Sequence, residues 1–494
     1  MYNWNEHNKL KTILSQDKQY AELVGGHQIH CRPAKFLKWV EFLKKDLNFH
    51  GLVDISFHGK SRTYSFCHFE SSQRVHLHLE VKGEELVPSI AHLYGNAKWI
   101  EIEKKLLEPR AGNELLSIPK IKFNPNRSEK PYIQESYIWE KYDFFSPTVD
   151  KQFEVLSCYH EGKLIDAQVD VGFHHKGFEE KLSANNYESI LKSIDSINLN
   201  IAPTYSILFA KSIEESHRIK VPQRAQAIRI IQLELARIVE HMKVINNTFS
   251  SFNFLELSKF YKFKFRFLDI LRKLSIENNK VSVVIGGVSV DVPFGWINEY
   301  RVLSEDFLKH VESFHQTLSK NDKICSVMKQ GGVNPRDMVE NGITGPNMRA
   351  SGVNLDFRKS NPFYFYSEID FDVPVEVNGS SWDRYLIRYQ ELIQSILIIN
   401  QVVDNLPLGE ILLSDVELQT IPKGSFFASY IESPQGQSGV SWVMGENSRL
   451  DSFRIVTPHF NVAQSLMHSL QGIHKEHLAP HLASLGLNSL EIDR

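Results

Sequence analysis

Residues 169–182 read VDVGFHHKGFEEKL, which sets two histidines, a lysine and two glutamates around two glycines. A metal site, a proton relay and a polar turn all fit that composition. If the preceding strand continues through Phe173, His174 and His175 project to opposite faces, and both reach one ion only across a turn. Glu179 follows Gly177 at a prospective helix start, where the helix dipole favours a carboxylate. A buried Glu179 with Lys176 nearby is a proton carrier, because burial moves a carboxyl toward neutral pH. A solvated, charged helix start is the alternative, and both readings stand at this level.

A second set lies in VPQRAQAIRIIQLELARIVEHMKVI (221–245). Glu234, Arg237 and His241 are spaced i, i+3 and i+7 and share one side of a helix that also carries Arg224. Inside a bundle such a stripe is an ion-pair network, costly to desolvate and kept for specificity or proton movement. Outside, it is a solvated face. KFYKFKFRF (259–267) alternates cations and rings, as a single-strand nucleic-acid strip does. A helix whose cations meet an acidic partner reads the same way. With a net charge of −3 and no other basic cluster, no nucleic-acid partner is expected. IGGV and QGGV lack the residues that make a dinucleotide or phosphate loop, and there is no G-x-S-x-G elbow. Cys31, Cys67, Cys158 and Cys325 form no C-x-x-C pair and read as apolar fillers. Metal or cluster chemistry therefore needs other residues or another subunit.

The elements that must position these residues fall into an α+β arrangement. Residues 28–108 form a small α/β domain, in which Phe36, Leu37, Val40 and Leu43 mark one helix face. GLVDISFHG, RTYSFCHFES and RVHLHLEVKG read as strands. Val75-His76-Leu77-His78-Leu79 suits a half-buried sheet with His76 and His78 on its solvent face. Residues 109–148, rich in Pro, Asn, Lys and Ser, read as a linker. Residues 149–494 form a larger helical-bundle domain with flanking small β-sheets, opening on a hairpin that turns at HEGK. Helices are expected across 185–279, with Pro222 in a first turn, and at 303–319, 382–404 and 459–485. Strands return beyond Lys423. No run of eighteen apolar residues occurs, and the first twenty residues hold no apolar core of signal-peptide length, so an intracellular, non-spanning chain is expected.

VGFHHKGFEEKL, VPQRAQAIRIIQLELARIVEHM, IGGVSVDVP, GITGPNMRASGVNLDFRK, DFDVPV and the terminal IDR resemble, in order, the D subunit of respiratory complex I. More loosely they resemble the large subunit of energy-converting nickel–iron hydrogenases. VPSIAHLYGNAKWIEIE resembles the complex I C subunit, so the whole is similar to a fused C/D chain of NADH-quinone oxidoreductase. The resemblance implies a soluble-arm subunit of a membrane electron-transfer and ion-translocating complex, peripheral on the cytoplasmic face of the inner membrane. Its implied partners are a small iron–sulfur subunit and membrane ion-translocating subunits. It implies no cofactor on this chain and an iron–sulfur cluster next door.

Departures from the family pattern are informative. The hydrogenase cysteine positions fall on Asn198, Ile201, Asn488 and Glu491, which offer no thiolate for nickel and iron. The quinone-site histidine, tyrosine and aspartate fall on Asp150, Leu199 and Ser251, and leucine can neither orient nor protonate a quinone. The arginine before that tyrosine is Ser196, and two late carboxylates become His477 and Gly486. By resemblance, Lys176 with His175 faces the partner's cluster and Glu179 passes protons. Glu234, Arg237, His241, Arg349, Asp356 and Arg358 keep the family's charged axis, as does Lys359. The expectation is a structural or coupling subunit with an altered or absent substrate site. The rivals are a C/D subunit with an unconventional quinone site and a solitary binding module.

Overall fold

The computed structural model describes residues 20–107, 121–122 and 137–494, apart from 24–25, 60, 70–71, 82–86, 146–150, 184, 253, 255, 278–279 and 447–448. Strands β1 (Tyr20–Leu23) and β2 (Gly26–Cys31) lead into helix α1 (Phe36–Lys45), then β3 (Gly51–His58), β4 (Ser61–Cys67) and β5 (Arg74–Glu80). They form one sheet ordered β1-β2-β5-β4-β3, antiparallel except that β2 runs parallel to β5. α1 buries Phe36, Val40 and Leu43, the stripe its spacing predicts. Helix α2 (Ala97–Leu107) closes the unit by burying Trp99 and Ile100.

The face assigned to solvent is covered. His76 and His78 do share a side of β5, but Phe426 from a later strand lies over it, 5.3 Å and 5.1 Å away between ring centres. His76 is buried, and burial beside His76, His30 and His58 drives the His78 pKa down. Alternation reports which residues share a face; it carries no information on what packs against that face.

The stretch expected to be a linker contains strand. β6 (Ile121–Lys122) and β7 (Tyr137–Phe145) join β8 (Lys151–His160) and β9 (Lys163–Val171) in a sheet ordered β6-β9-β8-β7. The β8–β9 hairpin turns at Glu161-Gly162, with φ of +50° and +77°. That pair of left-handed residues matches the twist of the flanking strands.

A bundle follows: α3 (Phe178–Ser183), α4 (Thr204–His217), α5 (Gln223–Phe249), α6 (Leu257–Ser275), α7 (Trp296–Ser319) and α8 (Ser381–Asp404). Pro222 caps α5, where its missing N–H costs no hydrogen bond. α5 has 27 residues, about 40 Å of helix, and is buried on nearly all sides. Its charged stripe is therefore interior, and the solvated-face reading falls. α8 starts at a capping box of Ser380 and Asp383. In α6 the cation–ring alternation separates into faces: Phe260 and Phe267 are core, while exposed Tyr261 and Phe265 flank a half-buried Lys264.

β10 (Phe426–Ser433), β11 (Gly436–Met444) and β12 (Leu450–Val456) form a three-stranded antiparallel sheet. The helical stretch expected at 459–485 is divided into Pro458–Gln464, Leu466–Leu470 and Leu478–Ser484, with Gly472 at φ +79° in the break. One apolar cluster fills the bundle. A second runs from Phe66 and Leu77 of the first sheet through Val155 and Leu164 to Phe460 and Leu482, so both halves share a core. No described helix is long and apolar enough to cross a membrane.

Candidate functional site

β9 ends at Val171, and His174 and His175 lie in the turn that follows. The turn is held by Asp493, whose carboxylate accepts from the Gly172 and His174 N–H groups at 2.8 and 2.9 Å. His175 Nδ1 lies 3.0 Å from the Asp493 carbonyl oxygen. Gly177, at φ +59°, then directs the chain into α3. Lys176 is exposed, whereas Glu179 in the first turn of α3 points inward.

Glu179 accepts from Arg454 Nη1 at 3.0 Å and from the Ile455 N–H at 2.7 Å, with Arg494 Nε at 3.4 Å. Arg454 also donates to Glu103 at 2.7 Å and meets Asp54 at 3.4 Å. Three carboxylates thus face two guanidinium groups. Burial raises both glutamates, but at Glu103 Arg454 and Arg494 outweigh it and the pKa falls. At Glu179 burial, with the Glu103 charge, prevails over those arginines and the pKa rises. With three carboxylates to two arginines, negative charge is least favoured on Glu179, the carboxyl of this node most disposed to keep its proton. Asp54 and Glu103 come from the first sheet and α2, so the node joins the two halves of the chain.

The charged axis forms a second node around α5. Glu234 accepts from Arg358 at 3.0 Å, Arg237 at 3.3 Å, Tyr366 at 2.6 Å and Ser395 at 2.7 Å. Asp356 caps a short helix through the Arg358 N–H at 2.9 Å and accepts from its guanidinium at 2.7 Å. Arg349 reaches Glu391 at 2.7 Å and Glu432 at 2.9 Å. His241 Nε2 lies 2.6 Å from the other Glu391 oxygen. All are essentially solvent-free. Lys359 stands apart, exposed, over the Phe371 ring.

The electrostatics of this node are uneven. Burial raises Asp356 and Glu391, but arginines reverse that, holding Asp356 near 2 and Glu391 well below the usual range. Burial lowers His241 to about 4 despite Glu391, so a neutral imidazole donates to a carboxylate. Glu432 moves the other way. Burial, reinforced by the Asp356 charge, pushes it up to about 7 against Arg349 and Arg237. It is a buried acid poised to gain or lose a proton near neutrality.

The hydrogenase-equivalent positions are drawn together without a metal-binding character. Asn198 Nδ2 donates to Glu491 at 2.5 Å, and Tyr205 O–H donates to the other Glu491 oxygen at 2.7 Å. His459 lies 3.2 Å from that oxygen. Ile201 is buried hydrocarbon, and Asn488 caps the last helical turn. An amide, an alkyl group and a hydrogen-bonded carboxylate do not fit a nickel–iron centre. Among the described residues no group of three or more His, Cys, Asp or Glu could hold a metal ion. The four cysteines are buried and form no disulfide with one another.

Of the quinone-equivalent positions, Asp150 lies outside the described residues. Leu199 is 73% exposed, and Ser251 is exposed in a short turn after α5. Glu391, Glu432, Glu103, Asp54 and Arg454 escaped the sequence reading. Each sits far along the chain from the residue it pairs with. Only Asp493 and Arg494 had a signal, the terminal IDR.

A family model described as "Respiratory-chain NADH dehydrogenase, 49 Kd subunit" matches residues 267–429. Another, "Respiratory-chain NADH dehydrogenase, 30 Kd subunit", matches residues 29–105. The C/D subunit of NADH-quinone oxidoreductase from Bdellovibrio bacteriovorus is 35% identical over 250 residues, which is 50% of this chain and 44% of that relative. The D subunit of the Myxococcus xanthus enzyme is 26% identical over 67% of this chain and 86% of its own length. The Bacillus mycoides D subunit is 27% identical over 67% of this chain and 92% of its own length. The similarity thus spans under half of the fused relative and most of the D subunits.

Proposed function

The chain belongs to the fused C/D family of NADH-quinone oxidoreductase subunits, and on that premise we propose that it is a coupling subunit of a complex I-like membrane complex. Its partners in this reading are a small iron–sulfur subunit, which the exposed Lys176 would face, and a membrane ion-translocating module. The substrate site is altered or absent, because Leu199 and Ser251 stand where a quinone needs a tyrosine and an aspartate. What remains is the buried charge network.

The observation that carries this reading is the state of the two nodes. Around Glu234 and Glu432 the ionisable groups are closed from water and mutually hydrogen-bonded. Uncompensated selection for folding alone favours apolar replacement of such groups. Glu432 in one node and Glu179 in the other are both raised toward neutrality, which suits groups that accept and release protons during a cycle. The 73% exposed Leu199 suits a face that a partner covers.

Affinity purification of the full chain from membranes tests the proposal. Iron–sulfur and antiporter-like subunits are expected to co-purify. Recovery only as a free monomer would end it. Quinone reduction by the purified assembly, abolished by Ser251→Ala, would instead favour an unconventional quinone site.

A further inference from the structure

A cavity of about 590 Å³ lies where the two halves of the chain meet, distinct from both charged nodes. Arg74 of β5 forms one wall, α4 contributes Lys211, Glu214 and Glu215, and β10 contributes Tyr430. Phe363 and Tyr364 add two more rings, and exposed Lys220 stands at the rim.

The wall charges are settled except at one point. Glu214 is held by Arg229, which donates to both its oxygens at 2.7 and 2.8 Å from behind the wall. Glu215 accepts from Lys211 at 2.7 Å and from the Ser429 hydroxyl at 2.7 Å. Among the described residues Arg74 has no such partner. It is 5% exposed, and its Nε and Nη2 carry no hydrogen bond. Its guanidinium lies 4.3 Å from the Tyr430 ring centre and 5.3 Å from that of Phe357. Buried guanidinium groups ordinarily complete their hydrogen bonds with carboxylates or phosphates. Rings satisfy the charge in part but none of the N–H groups.

We propose that this cavity binds a small molecule bearing one oxyanion on a flat ring, a phosphate or a carboxylate, with Arg74 as the anchoring cation. The volume lies within the roughly 300–1,000 Å³ of small-molecule sites. The local balance is positive, since among the described residues Arg74 and Lys220 have no carboxylate of their own while Glu214 and Glu215 are already paired with Arg229 and Lys211. Phe363, Tyr364 and Tyr430 offer stacking surface. Because Arg74 belongs to the first sheet and Lys211 and Tyr430 to the second half, the ligand would bridge both. The assignment does not depend on the proposed coupling role.

Calorimetric titration of the full chain with AMP, benzoate and neutral adenosine tests it. AMP, benzoate or both are expected to bind, at least tenfold tighter than adenosine. AMP alone identifies a phosphate ligand and benzoate alone a carboxylate. Arg74→Met is expected to weaken the oxyanion at least tenfold, the scale of a charge-assisted hydrogen bond, while leaving thermal unfolding unchanged or raised. If that variant misfolds, Lys220→Glu at the exposed rim is expected to weaken the oxyanion severalfold and leave adenosine unaffected. Absence of AMP and benzoate binding at millimolar concentration overturns the proposal. So does adenosine binding as tightly as AMP, or wild-type affinity in both variants.

Discussion

Glu432→Gln isolates the electrostatics of the larger node. Glu432 is 1% exposed, and its carboxyl is raised from an ordinary 4.5 to about 7. In the unfolded chain it loses its proton near 4.5, whereas in the folded chain it keeps it to about 7. Between those values the folded state binds more protons, so its share of stability falls as pH rises. The penalty is absent below about 4.5 and complete above about 7. At about 1.4 kcal/mol per pH unit, it amounts to about 3 kcal/mol. Glutamine keeps an oxygen for Arg349, 2.9 Å from the native Oε1, and never ionises. Urea unfolding from pH 4.5 to 8 should therefore show the variant gaining on wild type by a few kcal/mol across the interval. Parallel curves for the two proteins would refute the charge balance assigned to this node.

Three further outcomes follow from the geometry. Arg454→Met leaves Asp54, Glu103 and Glu179 facing Arg494 alone, and a loss of about 3–5 kcal/mol is expected in thermal unfolding, partly recovered by adding Glu179→Gln. Gly345→Ala places a Cβ 2.4 Å from the Gln435 carbonyl oxygen at a φ of +72°, so the short helix that presents Arg349 should shift and the chain should lose several kcal/mol, read as a lower melting temperature. Leu199→Asp, at a 73% exposed position, should leave melting within about 0.5 kcal/mol of wild type and reduce the yield of co-purified partner subunits.

Local pattern revealed the elements better than their company. The apolar spacing through Ile228, Ile231, Leu235, Ile238 and Met242 located α5, and the HEGK turn located the β8–β9 hairpin. The same spacing showed that Glu234, Arg237 and His241 share a side, but could not say whether that side met water. The answer depends on Arg358, Glu391 and Glu432, more than a hundred residues further along. His76 and His78 failed similarly, because their cover is Phe426. Strand Tyr137–Phe145 was hidden by the polar composition averaged over its surroundings. For the candidate site, residue types exposed the missing thiolates and the missing tyrosine. Whether Glu179 was buried required Arg454 and Arg494 to be placed beside it.

Beside the apolar core that they share, the two halves meet through a set of polar contacts. Ser56 meets Ser441 at 2.9 Å, His58 meets Ser452, Gln28 reaches the Phe426 carbonyl at 3.3 Å, and Arg454 meets Asp54. Two separate polypeptides would have to hold such a surface together by affinity alone, against the loss of translational freedom. A covalent tether replaces that demand with a high effective concentration. A fused chain is thereby free to carry buried charges in its junction beside the apolar core.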